Sequence, residues 1–320
     1  MHVSNRRISR FLYATMGLLD VLWYVWKCWQ VIRRSKPDVV HLLLTGVYLA
    51  LPALLLNWRT RCVMSAYSYQ FEPHRDKRIL ANMGAAIKRL GMGRCQVIDA
   101  LTSLIGDDLI SRGVDGRKIM IAPCSFTDLS LCQPSWPKKK WVVFLARFID
   151  IKNPLLLAQA IPQVVAQEPD VHFFFLGEGD LGPQLALTVQ DLDVSDYVTV
   201  RFEPCPAQIL NLSSIFMSLQ SAENYPSQSL LEAMACANAI VATDVGETWR
   251  LVDEANGIRI PPTVDAVADA ILTLLRDPLL HQRGIASRQR VLKEHTRERF
   301  FAHMRGVYRT ASNARQVERL

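Results

Sequence analysis

An α/β fold of two Rossmann-like domains, each built on a parallel sheet, is what the 320-residue sequence predicts, and three observations predict it. Short apolar runs alternate with segments of helical periodicity, the pattern of buried parallel strands joined by helical crossovers. The alternation runs twice, broken by Ser125 to Lys140, which holds Pro134, Pro137 and three lysines and reads as an interdomain linker. Polar residues gather directly after the apolar runs, where parallel sheets bind ligands. The expected borders are 1–137 for an N-terminal domain, 138–297 for a C-terminal domain, and 298–320 for a closing helix that packs back toward the first domain.

Each element has its own signal. Leu18, Leu22, Val25, Trp29 and Ile32 recur at helical spacing and make Phe11–Trp29 an amphipathic helix, packed on a sheet or laid on a bilayer. The 18 residues Val39–Leu56 lack Asp, Glu, Lys and Arg, the lower length limit of a spanning helix. His41, Thr45-Gly46 and Pro52 divide them instead into a buried strand (Asp38–Leu44), a turn and a buried helix from Val47. Strands are expected at Arg61–Ala66, Arg94–Ile98 and Lys118–Ala122, with a helix over Ala100–Arg112. After the linker come strands at Trp141–Leu145, Val171–Leu176, Val198–Phe202, Ile215–Leu219, Ile240–Ala242 and Ile258–Ile260. Helices are expected at Asn153–Glu168, with Pro154 in its first turn, and at Pro183–Asp191, Ala207–Asn211, Ser229–Cys236 and Thr248–Asp253. Two or three helices close the chain, and no internal repeat is visible.

Composition narrows the function classes. Half of the residues are apolar and 21% are charged, which excludes a disordered or low-complexity chain. The net charge of +7 is unevenly placed: residues 1–140 hold 21 Lys and Arg against 9 Asp and Glu, and the rest hold 16 against 21. A basic first half suits nucleic acid or the anionic leaflet of a membrane. The seven cysteines are odd in number and form no CxxC, which argues against a zinc site or a disulfide framework and fits a reducing compartment. Asp20 interrupts the first apolar run and no small-residue cleavage site follows it, so a signal peptide fits poorly.

The most informative segment is Ser221–Cys236. It places Glu223 in a loop after a buried strand, small polar residues at the start of a helix, and Glu232 about one turn in. A helix N-terminus with free N–H groups attracts anions, and Ser227 and Ser229 suit either capping or phosphate contact. A carboxylate in the first turns suits a ribose diol or the helix dipole. Arg147 and Lys152 follow the first strand of the second half, where two cations can stabilise a departing pyrophosphate without a metal.

With these residues in view, the second half resembles the donor-binding domain of retaining GT-B glycosyltransferases of the family 4 type. Ala146–Lys152 matches the family's Arg and Lys, five residues apart. Leu176-Gly-Glu-Gly179 matches its glycine turn. Glu223 to Glu232 with Ala-Met-Ala-Cys236, and then Ile240 to Gly246, match its paired-glutamate motif and following strand, and Gly257–Pro262 matches the next. The resemblance runs from about Trp141 to Tyr308 and, more weakly, over Lys36–Ile121 through Pro37-Asp-Val-Val-His41 and the strand before Asp99.

The resemblance implies two Rossmann-like domains facing a central cleft, the first on the acceptor side. It implies that Arg147 and Lys152 bind the donor diphosphate, that Glu232 binds the ribose, and that Glu223 lies beside the transferred sugar. Asn224, Ser227, Gln228 and Ser229 would line sugar and phosphate. The catalytic set would be Glu223, Arg147 and Lys152, with retention of configuration, no side-chain nucleophile, no metal and no cofactor beyond the nucleotide-diphosphate sugar. Two departures stand. Eight residues separate Glu223 from Glu232 where the family has seven, so strict register gives the first position to Asn224. No strand with a Gly-Gly segment precedes Pro37, so the first domain is expected to be short.

The expected activity is hexosyl transfer from a nucleotide sugar to a glycan or lipid-linked acceptor, in polysaccharide or lipopolysaccharide assembly. The expected location is cytoplasmic, peripheral at the inner face of the membrane. The alternative is a catalytically impaired sugar-nucleotide-binding or scaffold protein. A dinucleotide oxidoreductase is weakened because no G-x-G-x-x-G follows a strand. Nucleic acid is not an expected partner, since the basic residues are dispersed and no reading motif is present. In the first half, His41, Tyr67, Ser68 and His74 are candidates with no assigned role.

Overall fold

A computed structural model describes residues 20, 22–43, 60–67, 78–122 and 125–317. The chain divides into two compact units, residues 1–122 with 302–320, and residues 123–301. The helix expected from Val47, together with Ser68 and His74, lies outside the described residues.

The first unit holds a four-stranded parallel sheet, β1 (Val39–Leu43), β2 (Arg61–Ala66), β3 (Val97–Ala100) and β4 (Ile119–Ile121), in sequential order. Helix α1 covers residues 22–35. Helices α2 (Arg78–Arg94) and α3 (Ser103–Ser111) precede and follow β3. Every residue of β2 is buried, which is why its sequence alternates so weakly. Met64, Ile98, Ile105 and Leu109 pack on one face of the sheet. Val63 and Val97 pack on the other, against Val307 and Ala311 of the closing helix α10 (Arg297–Val317).

The third strand begins at Val97 rather than Arg94, because α2 runs to Arg94 and a turn at Cys95 and Gln96 intervenes. Asp99 therefore lies within β3 instead of just beyond it. The α3 helix begins after Thr102, whose hydroxyl accepts from the Ile105 amide at 3.1 Å, an N-cap.

The second unit holds a six-stranded parallel sheet of β5 (Lys139–Leu145), β6 (His172–Leu176), β7 (Val198–Arg201), β8 (Ser213–Ser218), β9 (Ala239–Thr243) and β10 (Gly257–Ile260). Their spatial order is β10-β9-β8-β5-β6-β7, the doubly wound order whose reversal falls between β5 and β8. The helices are α4 (Pro154–Val165), α5 (Gly182–Asp191), α6 (Ala207–Leu210), α7 (Gln228–Ala235), α8 (Val264–Arg276) and α9 (Leu280–Glu294). Side chains alternate along β5: Val142 and Phe144 join the cluster with Leu157, Ile161, Leu185 and Ile271, while Val143 joins Leu230, Met234 and Val291 on the other face. The expected helix at Thr248–Asp253 is a single 3₁₀ turn, Thr248–Arg250. Among the described residues no helix is long and apolar enough to cross a membrane.

Candidate functional site

The site lies in the second unit, at the carboxyl ends of β5 and β8, where the strand order reverses. After β5 the chain turns through Arg147 and a 3₁₀ turn, Asp150–Lys152, into α4. Asn153 takes a left-handed conformation (φ 52°) and donates to the Leu219 carbonyl at 2.9 Å, while the Ser221 amide donates to the Ile151 carbonyl at 3.0 Å. These two bonds tie the loop after β5 to the loop after β8. Gly177 and Gly179 complete the wall: a Cβ at Gly177 would meet the Ala146 carbonyl, and one at Gly179 would meet the Phe148 backbone. The glycine turn is there to let the Arg147 loop pass.

Lys152 is held by one partner, donating from Nζ to Gln220 Oε1 at 2.9 Å. The same oxygen accepts from Asn224 Nδ2 at 2.9 Å. Gln220 is itself buried, and its carbonyl accepts from the Thr243 hydroxyl at 2.5 Å. Burial pushes the Lys152 ammonium below its ordinary pKa, and the neighbouring Arg147 guanidinium adds to the push. Arg147 is exposed. A cation held at a penalty beside a second cation is a site prepared for an anion.

The α7 N-terminus meets this pair. Ser227 occupies the N-cap with extended backbone, yet its side chain makes no capping bond and instead lies 3.3 Å from Ser229 Oγ. The first-turn amides of α7 are thus left without a side-chain cap. A recess of about 10 Å³, room for about one water, is lined by Lys152, Gln220, Ser227, Ser229 and the last residues of β5 and β8. Glu232, one turn along α7, is half-buried, and burial raises its pKa. Gln228 Nε2 stands 3.5 Å from its carboxylate.

Glu223 is committed elsewhere. Its Oε1 accepts from the Tyr225 amide at 2.9 Å and its Oε2 from the Glu247 amide at 2.6 Å. The carboxylate thereby fixes its own loop to the one after β9. Asn224, next in sequence, is the residue that shares Gln220 with Lys152. The structure thus brings Lys152, Asn224, Ser227, Ser229 and Glu232 to one end of the sheet with Arg147 and Gln228, and gives Glu223 a separate set of partners. Sequence reasoning did not single out Gln220 or Asn153. Their signals were slight: a lone amide at the end of a buried strand, and an Asn before a helix-starting Pro.

In the first unit, Ser65 links His41 to Asp99. Ser65 Oγ donates to Asp99 Oδ2 at 3.1 Å, and His41 Nε2 lies 2.8 Å from Ser65 Oγ. His41 Nδ1 lies 2.9 Å from Tyr308 Oη, and His303 Nε2 lies 2.8 Å from Asp99 Oδ1. With the Ser65 hydroxyl donating to Asp99, His41 Nε2 donates to Ser65 Oγ and His41 Nδ1 accepts from the Tyr308 hydroxyl. These residues join the sheet to α10. Tyr67 lies just beyond β2.

Residues 139–277 match the family model described as Glycosyl transferases group 1. Among curated proteins, the chain is similar to the phosphatidyl-myo-inositol mannosyltransferase of Mycolicibacterium smegmatis, at 26% identity over 198 residues, 59% of this chain and 50% of that protein. It is also similar to a Campylobacter jejuni α-1,4-N-acetyl-D-galactosaminyltransferase acting on a diphosphoundecaprenol-linked glycan, at 24% identity over 52% of this chain and 44% of that protein. The chain spans about half the length of the curated relatives it matches. Among solved structures, sucrose-phosphate synthase from Thermosynechococcus elongatus superposes with a TM-score of 0.74 at 18% identity, over 91% of this chain and 78% of that one. An Anabaena protein solved with UDP gives 0.71 at 16% identity, over 92% and 82%. The two parallel-sheet units thus have the GT-B fold, and residues 139–277 are similar to the glycosyl transferases group 1 family.

Proposed function

We propose that this chain is a glycosyltransferase that moves a hexosyl group from a nucleotide-diphosphate sugar to a glycan or lipid-linked acceptor, with retention of configuration. The observation that carries the reading is the convergence of Lys152, Arg147 and the uncapped start of α7 at the strand-order reversal, with Glu232 one turn along the same helix. Arg147, Lys152 and the α7 amides would bind the donor diphosphate, Ser227 and Ser229 would contact phosphate oxygens, and Glu232 would accept from the ribose hydroxyls. Asn224 and Gln228 would line the sugar. Glu223 would act by position, holding its loop for Asn224.

In this reading the anomeric C–O bond to phosphate breaks while the acceptor oxygen bonds to the anomeric carbon. The acceptor proton passes to the departing phosphate on the same face. Lys152 and Arg147 stabilise the charge that builds on the leaving group, so neither a side-chain nucleophile nor a metal is required, and activity is expected to survive EDTA.

The lipid-linked acceptors named in the two curated relatives favour an acceptor at a membrane surface, in polysaccharide or lipopolysaccharide assembly. Helix α1 favours it too. It exposes Leu22, Trp23, Trp26, Trp29 and Val31, with Lys27 over the Trp23 and Trp26 rings and Arg33 over Trp29. Indole rings beside basic side chains suit an anionic bilayer interface, which would place the protein at the cytoplasmic face.

The test is calorimetric titration with UDP-, GDP- and ADP-sugars, followed by turnover. One nucleotide class should bind, and Lys152→Ala and Glu232→Ala should each weaken it at least about tenfold, the loss of a charge-assisted hydrogen bond. Parental affinity in both variants would refute the site. Cosedimentation with anionic vesicles, lost in Trp26→Ser and at high salt, tests the membrane contact.

A further inference from the structure

The loop after β8 is clamped at three consecutive residues. The Leu219 carbonyl accepts from Asn153 Nδ2 at 2.9 Å, the Gln220 carbonyl accepts from the Thr243 hydroxyl at 2.5 Å, and the Ser221 amide donates to the Ile151 carbonyl at 3.0 Å. These partners come from the loop after β5 and from the end of β9, so the Gln220 backbone is fixed from two sides. Its side chain is 5% exposed and lines the recess with Lys152, Ser227 and Ser229. A buried carboxamide on a clamped backbone has little freedom to turn.

That carboxamide can face only one way. Lys152 Nζ, 2.9 Å away, carries donors and no acceptor, so the atom opposite it is the Gln220 oxygen. The same oxygen lies 2.9 Å from the Asn224 side-chain nitrogen. Turning the Asn224 carboxamide over would set two carbonyl oxygens against each other, so its nitrogen is fixed there too. The consequence falls at the other side of the Asn224 amide. Its Oδ1 has no partner among the described residues, and the residue is exposed. Lys152 thus dictates, through Gln220, that Asn224 shows the site an acceptor rather than a donor.

We infer that Gln220 is a positioning residue for the sugar. It turns the Asn224 carboxamide so that Oδ1 accepts from a hydroxyl of the transferred sugar, and it ties that orientation to the cation that holds the diphosphate. This role rests on the donor site proposed above.

The test titrates UDP-, GDP- and ADP-glucose by calorimetry, each beside its free diphosphate, and reads the ratio of the two affinities for the base that binds. Both ligands carry the diphosphate and only one carries sugar hydroxyls, so the ratio isolates the sugar and cancels any loss of folded protein. Gln220→Met keeps the length of the side chain and removes the carbonyl acceptor. It should lower the ratio about fivefold, the worth of one hydrogen bond. Asn224→Ala should lower it equally, and the double variant no further. Gln220→Glu keeps an oxygen for both neighbours and should hold the ratio within about twofold of the parent. Its charge competes for Lys152 and should weaken both ligands together. A parental ratio in Gln220→Met, additive losses in the double variant, or the same loss in Gln220→Glu as in Gln220→Met would each overturn the role of Gln220. If no nucleotide binds the parent, or Lys152→Ala binds the free diphosphate at parental affinity, the donor site itself fails and the role of Gln220 with it. Weakened binding in Lys152→Ala together with a parental ratio in Gln220→Met removes the role of Gln220 alone.

Discussion

Glu223 and Gly246 compete for the same space, and that explains both. Gly246 sits at φ 53°, and a Cβ there would overlap the Glu223 carboxylate. The glycine after β9 therefore serves the glutamate after β8. Removing the carboxylate in Glu223→Ala leaves the Tyr225 and Glu247 amides without their acceptor, a loss of about 1–3 kcal/mol. Gly246→Ala should be strongly destabilising alone and much less so on the Glu223→Ala background, where only the cost of the left-handed backbone, about 1 kcal/mol, remains. Urea unfolding of the four proteins of that cycle measures the coupling. Additive effects would show that the two loops do not share this contact.

Helices carry function here through their ends and their anchors. The α7 start is left uncapped where a diphosphate would bind, whereas Thr102 and Thr263 cap α3 and α8. The anchor is in the first unit, where Asp99, fully buried in β3, receives Ser65 and His303. Weakening a buried acceptor that two side chains share costs more than one exposed hydrogen bond, because its partners are left poorly satisfied. Asp99→Asn should therefore loosen α10 from the sheet and raise amide hydrogen exchange across residues 303–313. The second unit, whose core does not include Asp99, should keep its protection. Unchanged exchange in α10 would show that Val307 and Ala311 hold the helix by packing alone.

At the scale of the whole molecule, three histidines among the described residues contribute to the response to mild acid. Burial chiefly holds His41, His172 and His295 below the ordinary histidine pKa. A histidine depressed in the folded state binds its proton more readily in the unfolded chain. Stability is then full above the unfolded value of about 6.5 and is lost as pH falls through the folded values. Asp277, held low by its Arg283 partner, keeps its stabilising contribution through this range and loses it only in more acidic solution, as pH falls below the ordinary carboxylate value. The melting temperature should drop between pH 7.5 and pH 5.5, and His295→Gln should flatten that slope. A parental slope in the variant would place the proton uptake on other groups.

Much of this was legible in the chain itself. Alternation of short apolar runs with helical segments fixed the α/β class, because a strand buried on both faces leaves little choice of residue. Arg147, Lys152 and the Ser221–Cys236 segment stood out because strand ends and helix starts can be located from local pattern. The tertiary structure decided what depends on residues far apart in sequence. Strand pairing sets Cys62 and Cys95 with their sulfurs 3.3 Å apart, though they lie 33 positions apart in sequence and both thiols are free. Pairing also delivers Gln220 to Lys152 and Gly246 to Glu223, contacts that cross from one loop to another and leave no periodic trace. The start of β3 was misplaced for the same reason: α2 extends to Arg94, and Asp99 is placed inside the strand by partners from β2 and α10. Local sequence specifies which backbone a segment adopts; which side chains then meet is a property of the packed sheet.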